Sequence, residues 1–207
     1  MAKSTAQPVS KTSEKTVLSI DTIAFSQGNY VLAKLLSKTY SKDSICDATF
    51  ALEFNFKKEP KAVTKLYIKG FDEGSEWYGN YVLDSVYSPL KEISLGYPAC
   101  GYTRNHYLFH LNKKKQQLIH EWYSMGDSGW SSGGEIVGGT QNHIIFRNES
   151  FLPDEQNTDS ETDEWGINGF SDSIHLDYQN GTWVKKLITP KDKVYHSVRK
   201  SFEEYHK

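Results

Sequence analysis

Hydrophobic and polar residues alternate along much of the chain after residue 47. In Ala48–Phe56, the side chains of Phe50, Leu52, Phe54 and Phe56 fall on one side, with Thr49, Glu53 and Asn55 on the other. A period of two is the signature of a strand buried on one face. A turn over 57–61 leads into Ala62–Phe71, where Leu66 and Ile68 oppose Lys65, Tyr67 and Lys69. The two segments are predicted to form an antiparallel hairpin with a lysine-bearing solvent face. Thr16–Phe25 and Glu76–Val86 read as further strands, the latter interrupted at Gly79, and Pro89 and Pro98 bracket a connection.

Arg104–Leu111 and Gln116–Tyr123 form a second hairpin across the four-residue loop 112–115. If Leu111 pairs with Gln116, Phe109 faces Leu118, Tyr107 faces His120 and His106 faces Glu121. The expected core face then carries Tyr107, Phe109, Leu111, Leu118, His120 and Trp122. A glycine-rich loop over 124–139 follows, then a strand at Asn142–Arg147 and an exposed loop at Pro153–Glu164 without apolar side chains. Ser173–Tyr178 and Thr182–Ile188 flank Asn180-Gly181, the pair that a two-residue turn with positive φ at both positions requires. That pairing puts Ile174, Leu176, Tyr178, Trp183 and Leu187 on one face.

Two segments carry helical spacing. Val31, Leu32, Leu35 and Leu36 predict a short N-terminal helix with Ser26 as its cap. Val194, Val198, Phe202 and Tyr205 predict a closing C-terminal helix capped by Asp192. Residues 1–15 are polar and aperiodic and are expected to be a disordered tether. The expected architecture is therefore mainly β. It is an antiparallel β-sandwich or partly open barrel with a short N-terminal helix and a C-terminal helix, in a single domain over 16–207.

Composition agrees with strands: aromatics make up 14% of the 207 residues, with 13 Tyr, 10 Phe and 5 Trp, and these residue types favour pleated, half-buried surfaces. A net charge of −2 gives no reason to expect nucleic acid as a partner. The charge is unevenly spread: Gln116–Val184 holds twelve acids and a single base, Arg147. If those acids share a face they would steer a basic partner. No apolar run approaches the roughly 20 residues that a membrane-spanning helix needs. Cys46 and Cys100 are compatible with a disulfide in an oxidising compartment or with separate thiols.

Gly126-Asp127-Ser128-Gly129 resembles the nucleophile segment of chymotrypsin-like serine proteases. The resemblance covers four residues. Trp130 stands where that family has a further glycine, and no Ala-His-Cys segment lies upstream, so a glycine-rich turn is the expected role. His106 and His110 would converge on a metal only on a helix. On a strand their spacing separates them by roughly 13 Å. No phosphate-cradling or dinucleotide motif is present.

The favoured functional expectation is a non-enzymatic binding or interaction protein, periplasmic or extracellular, with residues 1–15 as a lipoprotein-type tether. It would be of inhibitor or immunity type and mask a basic protein partner. Trp122, Tyr123, Trp130 and Trp165 would supply stiff contact area, and Asp127 and Glu135 charge. One alternative is a hydrolase in which Glu121 orients His106, or Ser128 acts, beside the glycine-rich loop. Another is a calcium-dependent carbohydrate or surface binder with Asn157, Asp159, Glu161 and Asp163 as oxygen ligands. No cofactor other than calcium is expected.

Overall fold

Alternation prevails over helical spacing almost everywhere. A computed structural model describes residues 17–57, 59, 61–84, 86–98, 101–112, 116–127, 129–154 and 165–205. Among them are thirteen strands. The first four are β1 (Ser19–Ala24), β2 (Tyr30–Tyr40), β3 (Cys46–Asn55) and β4 (Ala62–Ile68), and they form an antiparallel meander in that order. The second sheet runs β5 (Glu76–Tyr81), β6 (Leu90–Gly96), β7 (Arg104–Leu111), β8 (Gln116–Asp127), β9 (Trp130–Thr140), β10 (His143–Pro153), β11 (Trp165–Gln179) and β12 (Thr182–Leu187), each beside the next. β13 (Val194–Ser201) also pairs with β11. Two antiparallel sheets result, with no closed barrel.

Strands β5–β8 form a middle layer, of which β6 and β7 are buried on both faces. Ile93, Leu95, Tyr107, Phe109 and Leu111 face the first sheet and meet Val31, Leu35, Phe50, Leu52 and Phe54 in the larger core. Phe54 and Phe109 bridge the layers edge to face at 5.3 Å. Leu90 and Leu108 point the other way, into a second core with Ile144, Phe146, Ile174 and Leu176. Gly134 makes room for this core, because a Cβ there would lie 2.2 Å from Phe146 Cζ.

The predicted N-terminal helix is instead β2. Its buried residues are Val31, Ala33 and Leu35, at a period of two, and β1 and β3 supply hydrogen-bonding partners along both its edges. Paired leucines satisfy either periodicity over one turn, and tertiary pairing decides. The predicted C-terminal helix shrinks to the single turn α1 (Phe202–Tyr205). β12 reaches only to Ile174 on β11, where Asp172 has a φ of 45°. The first half of β11 is left with an open edge, and Val194–Ser201 fills it. Asp192 caps no helix; its backbone N–H donates to Asp172. The glycine-rich segment over 124–139 is also no loop, since it contains the end of β8 and most of β9. The 173–188 hairpin forms as expected, with Asn180 and Gly181 at φ 51° and 84°.

The face of β8 also differs from expectation. A bulge at Ile119 shifts the register by one, so Leu108 pairs with His120, Tyr107 with Glu121 and His106 with Trp122. A slip of one residue sends every later side chain to the opposite face. His120 and Trp122 therefore line the second core rather than the first.

One charge is buried between the sheets. Lys91 is fully inaccessible. Its Nζ donates to the Ser88 carbonyl, lies 3.5 Å from Glu59 and sits 4.9 Å from the ring centres of both Phe56 and Tyr81. Burial pulls the Lys91 ammonium below its ordinary pKa and pushes the Glu59 carboxyl up, outweighing their mutual attraction. Cys46 is a buried free thiol, and Cys100 lies outside the described residues. No described helix is long and apolar enough to cross a membrane.

Candidate functional site

The second sheet is continuous through only three residue pairs between β8 and β9: Met125 with Ser132, Gly126 with Ser131 and Asp127 with Trp130. Beyond them the strands part. β8 follows β7 in the middle layer, and β9 follows β10 into the outer one. Two cavities open at this fork and share Ser132, Gly133 and Glu149 in their walls. One, of about 450 Å³, is bounded by Arg104, His106, Ser124, Trp130 and Tyr205. The Tyr205 hydroxyl hydrogen-bonds Ser131 Oγ at 2.6 Å and its ring stacks on Phe151 at 4.4 Å, which fixes α1 against this cavity. The other, of about 510 Å³, lies between His120, Trp122, Tyr123, Phe146, Asp172 and Lys185.

A row of hydrogen-bonded side chains crosses the middle layer toward the first cavity. Glu92 on β6 accepts at Oε1 from His106 Nδ1 at 2.8 Å, and His106 Nε2 lies 2.7 Å from Ser124 Oγ. A carboxylate only accepts, so Nδ1 carries a hydrogen; the imidazole tautomer with that hydrogen leaves Nε2 free to accept from the serine hydroxyl. The imidazole lies flat against Trp122, with centroids 4.9 Å apart and planes 4° apart. Glu92 sits two residues off direct pairing with His106, as Ser124 does on the other side, so the row is diagonal. Diagonal neighbours on one sheet face are within reach of long side chains.

The hydrolase pairing read from the sequence is corrected here. The bulge carries Glu121 opposite Tyr107, and the acid that holds His106 is Glu92. Ser128 lies outside the described residues. Of the expected binding residues, Asp127 and Trp130 line the first cavity, and Trp122 and Tyr123 the second. Glu135 is held by Arg147 at 2.6 Å, and Trp165 lies beneath the Arg199 guanidinium at 4.5 Å. Glu92 and Ser124 were missed because one belongs to a strand hidden between two prolines and the other to a segment read as loop. Ser124-Met125-Gly126-Asp127 carries no alternation, so no hydrophobic signal announced that β8 continues to Asp127.

Several acids of the 116–184 segment have partners. Asp154 binds Arg199, Asp177 binds His143, Glu149 accepts from Asn168 and Asp172 from Asn148. Glu121 and Asp127 are exposed at the fork. Among the described residues no group of three or more His, Cys, Asp or Glu is placed to hold a metal ion. Asn157, Asp159, Glu161 and Asp163 lie outside them.

His120 gives the second cavity a pH dependence. It is 7% exposed, with Lys185 Nζ 3.3 Å from Nδ1, and the Phe146 ring stands edge to face against it at 4.3 Å. Burial first, and the Lys185 charge second, push its pKa down to about 4. Between that value and the ordinary 6.5, the unfolded chain binds the proton and the folded chain does not. Stability therefore falls as pH drops through this window, by about 3 kcal/mol for a shift of that size. Urea melts across it are expected to show this loss, and His120→Phe to flatten the dependence. An unchanged slope in the variant would assign the effect to other groups.

The chain matches no protein-family model, and neither a curated protein nor a solved structure matches it significantly.

Proposed function

We propose that this chain is a binding protein that receives a protein partner at the β8–β9 fork, working outside the cytoplasm as an inhibitor or immunity-type protein. The observation that supports it most directly is convergence: Trp122, Tyr123, Asp127 and Trp130 all line the two adjoining cavities. Aromatic rings there give large contact area at low entropic cost, and fixed strands on either side keep that area preorganised. Glu121 and Asp127, both exposed at the rim, favour a partner that brings basic side chains.

Affinity capture with the full chain as bait tests this reading. A specific partner is expected to be retained by wild type, to weaken with added salt, and to be lost with Tyr123→Ala or Glu121→Lys. Val63→Lys on β4, an exposed position of the other sheet, serves as the control and should retain it. A partner held equally by the fork variants would move the interface elsewhere. A second reading, chemistry at the same fork, is favoured by one specific observation, the hydrogen-bond row ending at Ser124.

A further inference from the structure

We infer that Ser124 is an activated nucleophile for acyl transfer, with His106 as its general base and Glu92 as the group that orients the base. Such reactivity goes beyond partner binding and does not depend on it. The connectivity is acid to Nδ1 and Nε2 to hydroxyl, at 2.8 and 2.7 Å. A serine hydroxyl becomes nucleophilic when a neutral imidazole takes its proton and a carboxylate stabilises the imidazolium that forms. Such sites are identified by geometry and roles rather than by position in the chain.

Three further features set this row apart from an ordinary surface ladder. The Glu92 and His106 side chains are only 19% and 13% exposed, so the charge that develops on the ring is shielded from bulk water. The ring orientation is locked by Trp122. Ser124 opens into the cavity of about 450 Å³, in whose wall Arg104 supplies a cation, its guanidinium stacked on Tyr78 at 4.6 Å. Across the cavity β9 comes close because Gly133 has no side chain; a Cβ there would sit 2.9 Å from Ser124 Cβ. The volume suits an ester of a small acyl group, with Arg104 positioned to favour negative charge within the cavity.

The step balances within these residues. Ser124 Oγ attacks the ester carbonyl carbon while its proton passes to His106 Nε2, forming a C–O bond and a tetrahedral oxyanion. As that intermediate collapses, the bond to the leaving alcohol breaks and Nε2 returns the proton to the alcohol oxygen. Water then repeats the sequence on the acyl-serine and releases the acid. A fluorophosphonate takes the first half only: the Oγ–P bond forms, P–F breaks and fluoride leaves.

Incubating the full chain with an alkyl fluorophosphonate and mapping the adduct by peptide mass tests this. Expected is one adduct per chain on Ser124, absent in Ser124→Ala and slowed at least about 100-fold in His106→Gln. Glu92→Gln should also slow it. Thermal melts of each variant establish that it folds, and the wild-type map is decisive without any variant. If the folded wild type labels no faster at Ser124 than at its other serines, or if His106→Gln labels as fast, the row is a structural ladder and the inference fails.

Discussion

Glu59→Ala is expected to cost about 3–5 kcal/mol of stability, the range seen when one partner of a buried ion pair is removed. The reason is Lys91, which has no exposed surface and, among the described residues, would keep the Ser88 carbonyl and the two ring faces as company for its charge. Adding Lys91→Met removes that stranded charge while keeping a flexible chain of similar length, so the double variant is expected to regain most of the loss. The deficit of the single variant should also shrink as pH rises toward 10.5, the ordinary lysine value. The folded-state pKa is depressed, so across that range the unfolded chain holds the extra proton and stability climbs with pH. Urea melts of the two variants at neutral and alkaline pH decide the matter. Equal losses in single and double variants would mean that the pair is uncoupled.

Phe146→Ala is expected to be comparably damaging, at about 3–5 kcal/mol, because it empties the centre of the second core. Phe146 is 1% exposed and touches His120 at 4.3 Å and Trp122 at 5.2 Å between ring centres. Its loss has a second, site-specific readout. The His120 Nε2 has no hydrogen-bond partner among the described residues, and the imidazole packs edge to face with this ring. With the ring gone, water reaches the imidazole and its pKa should climb from about 4 back toward 6.5. A proton NMR titration of the ring measures this. A large stability loss with no movement of the titration would place His120 outside the influence of the Phe146 ring.

Strand positions were legible where one face is buried and the turn chemistry is explicit. Phe50, Leu52 and Phe54 marked β3, and Asn180-Gly181 marked the β11–β12 turn. β2 was obscured because it is a central strand whose second face is half-covered, so Leu32 and Leu36 add apolar residues out of phase and imitate a helix. β13 was obscured for a different reason: its only cause is the open edge on β11, a property of a distant strand. β6 carries apolar residues on both faces, since it is buried on both within the middle layer, and so shows no alternation.

The site was legible as a neighbourhood but not as chemistry. The stretch holding His106, Trp122 and the glycines did converge on cavities. Which acid meets His106 depended on the bulge at Ile119, and nothing in the hydrophobic pattern dictates where an extra residue is absorbed. The glycines had been credited with looseness; in the fold they serve close packing, as Gly133 beside Ser124 and Gly134 beneath Phe146 demonstrate.

The three pairs that join β8 to β9 carry a mechanical consequence. Past those pairs the two walls are held at their separation by side-chain packing, with Leu108 on one wall meeting Phe146 and Ile174 on the other. The second core is thus the spacer of the fork, and a change of volume there alters the width of the cavities that open beside it.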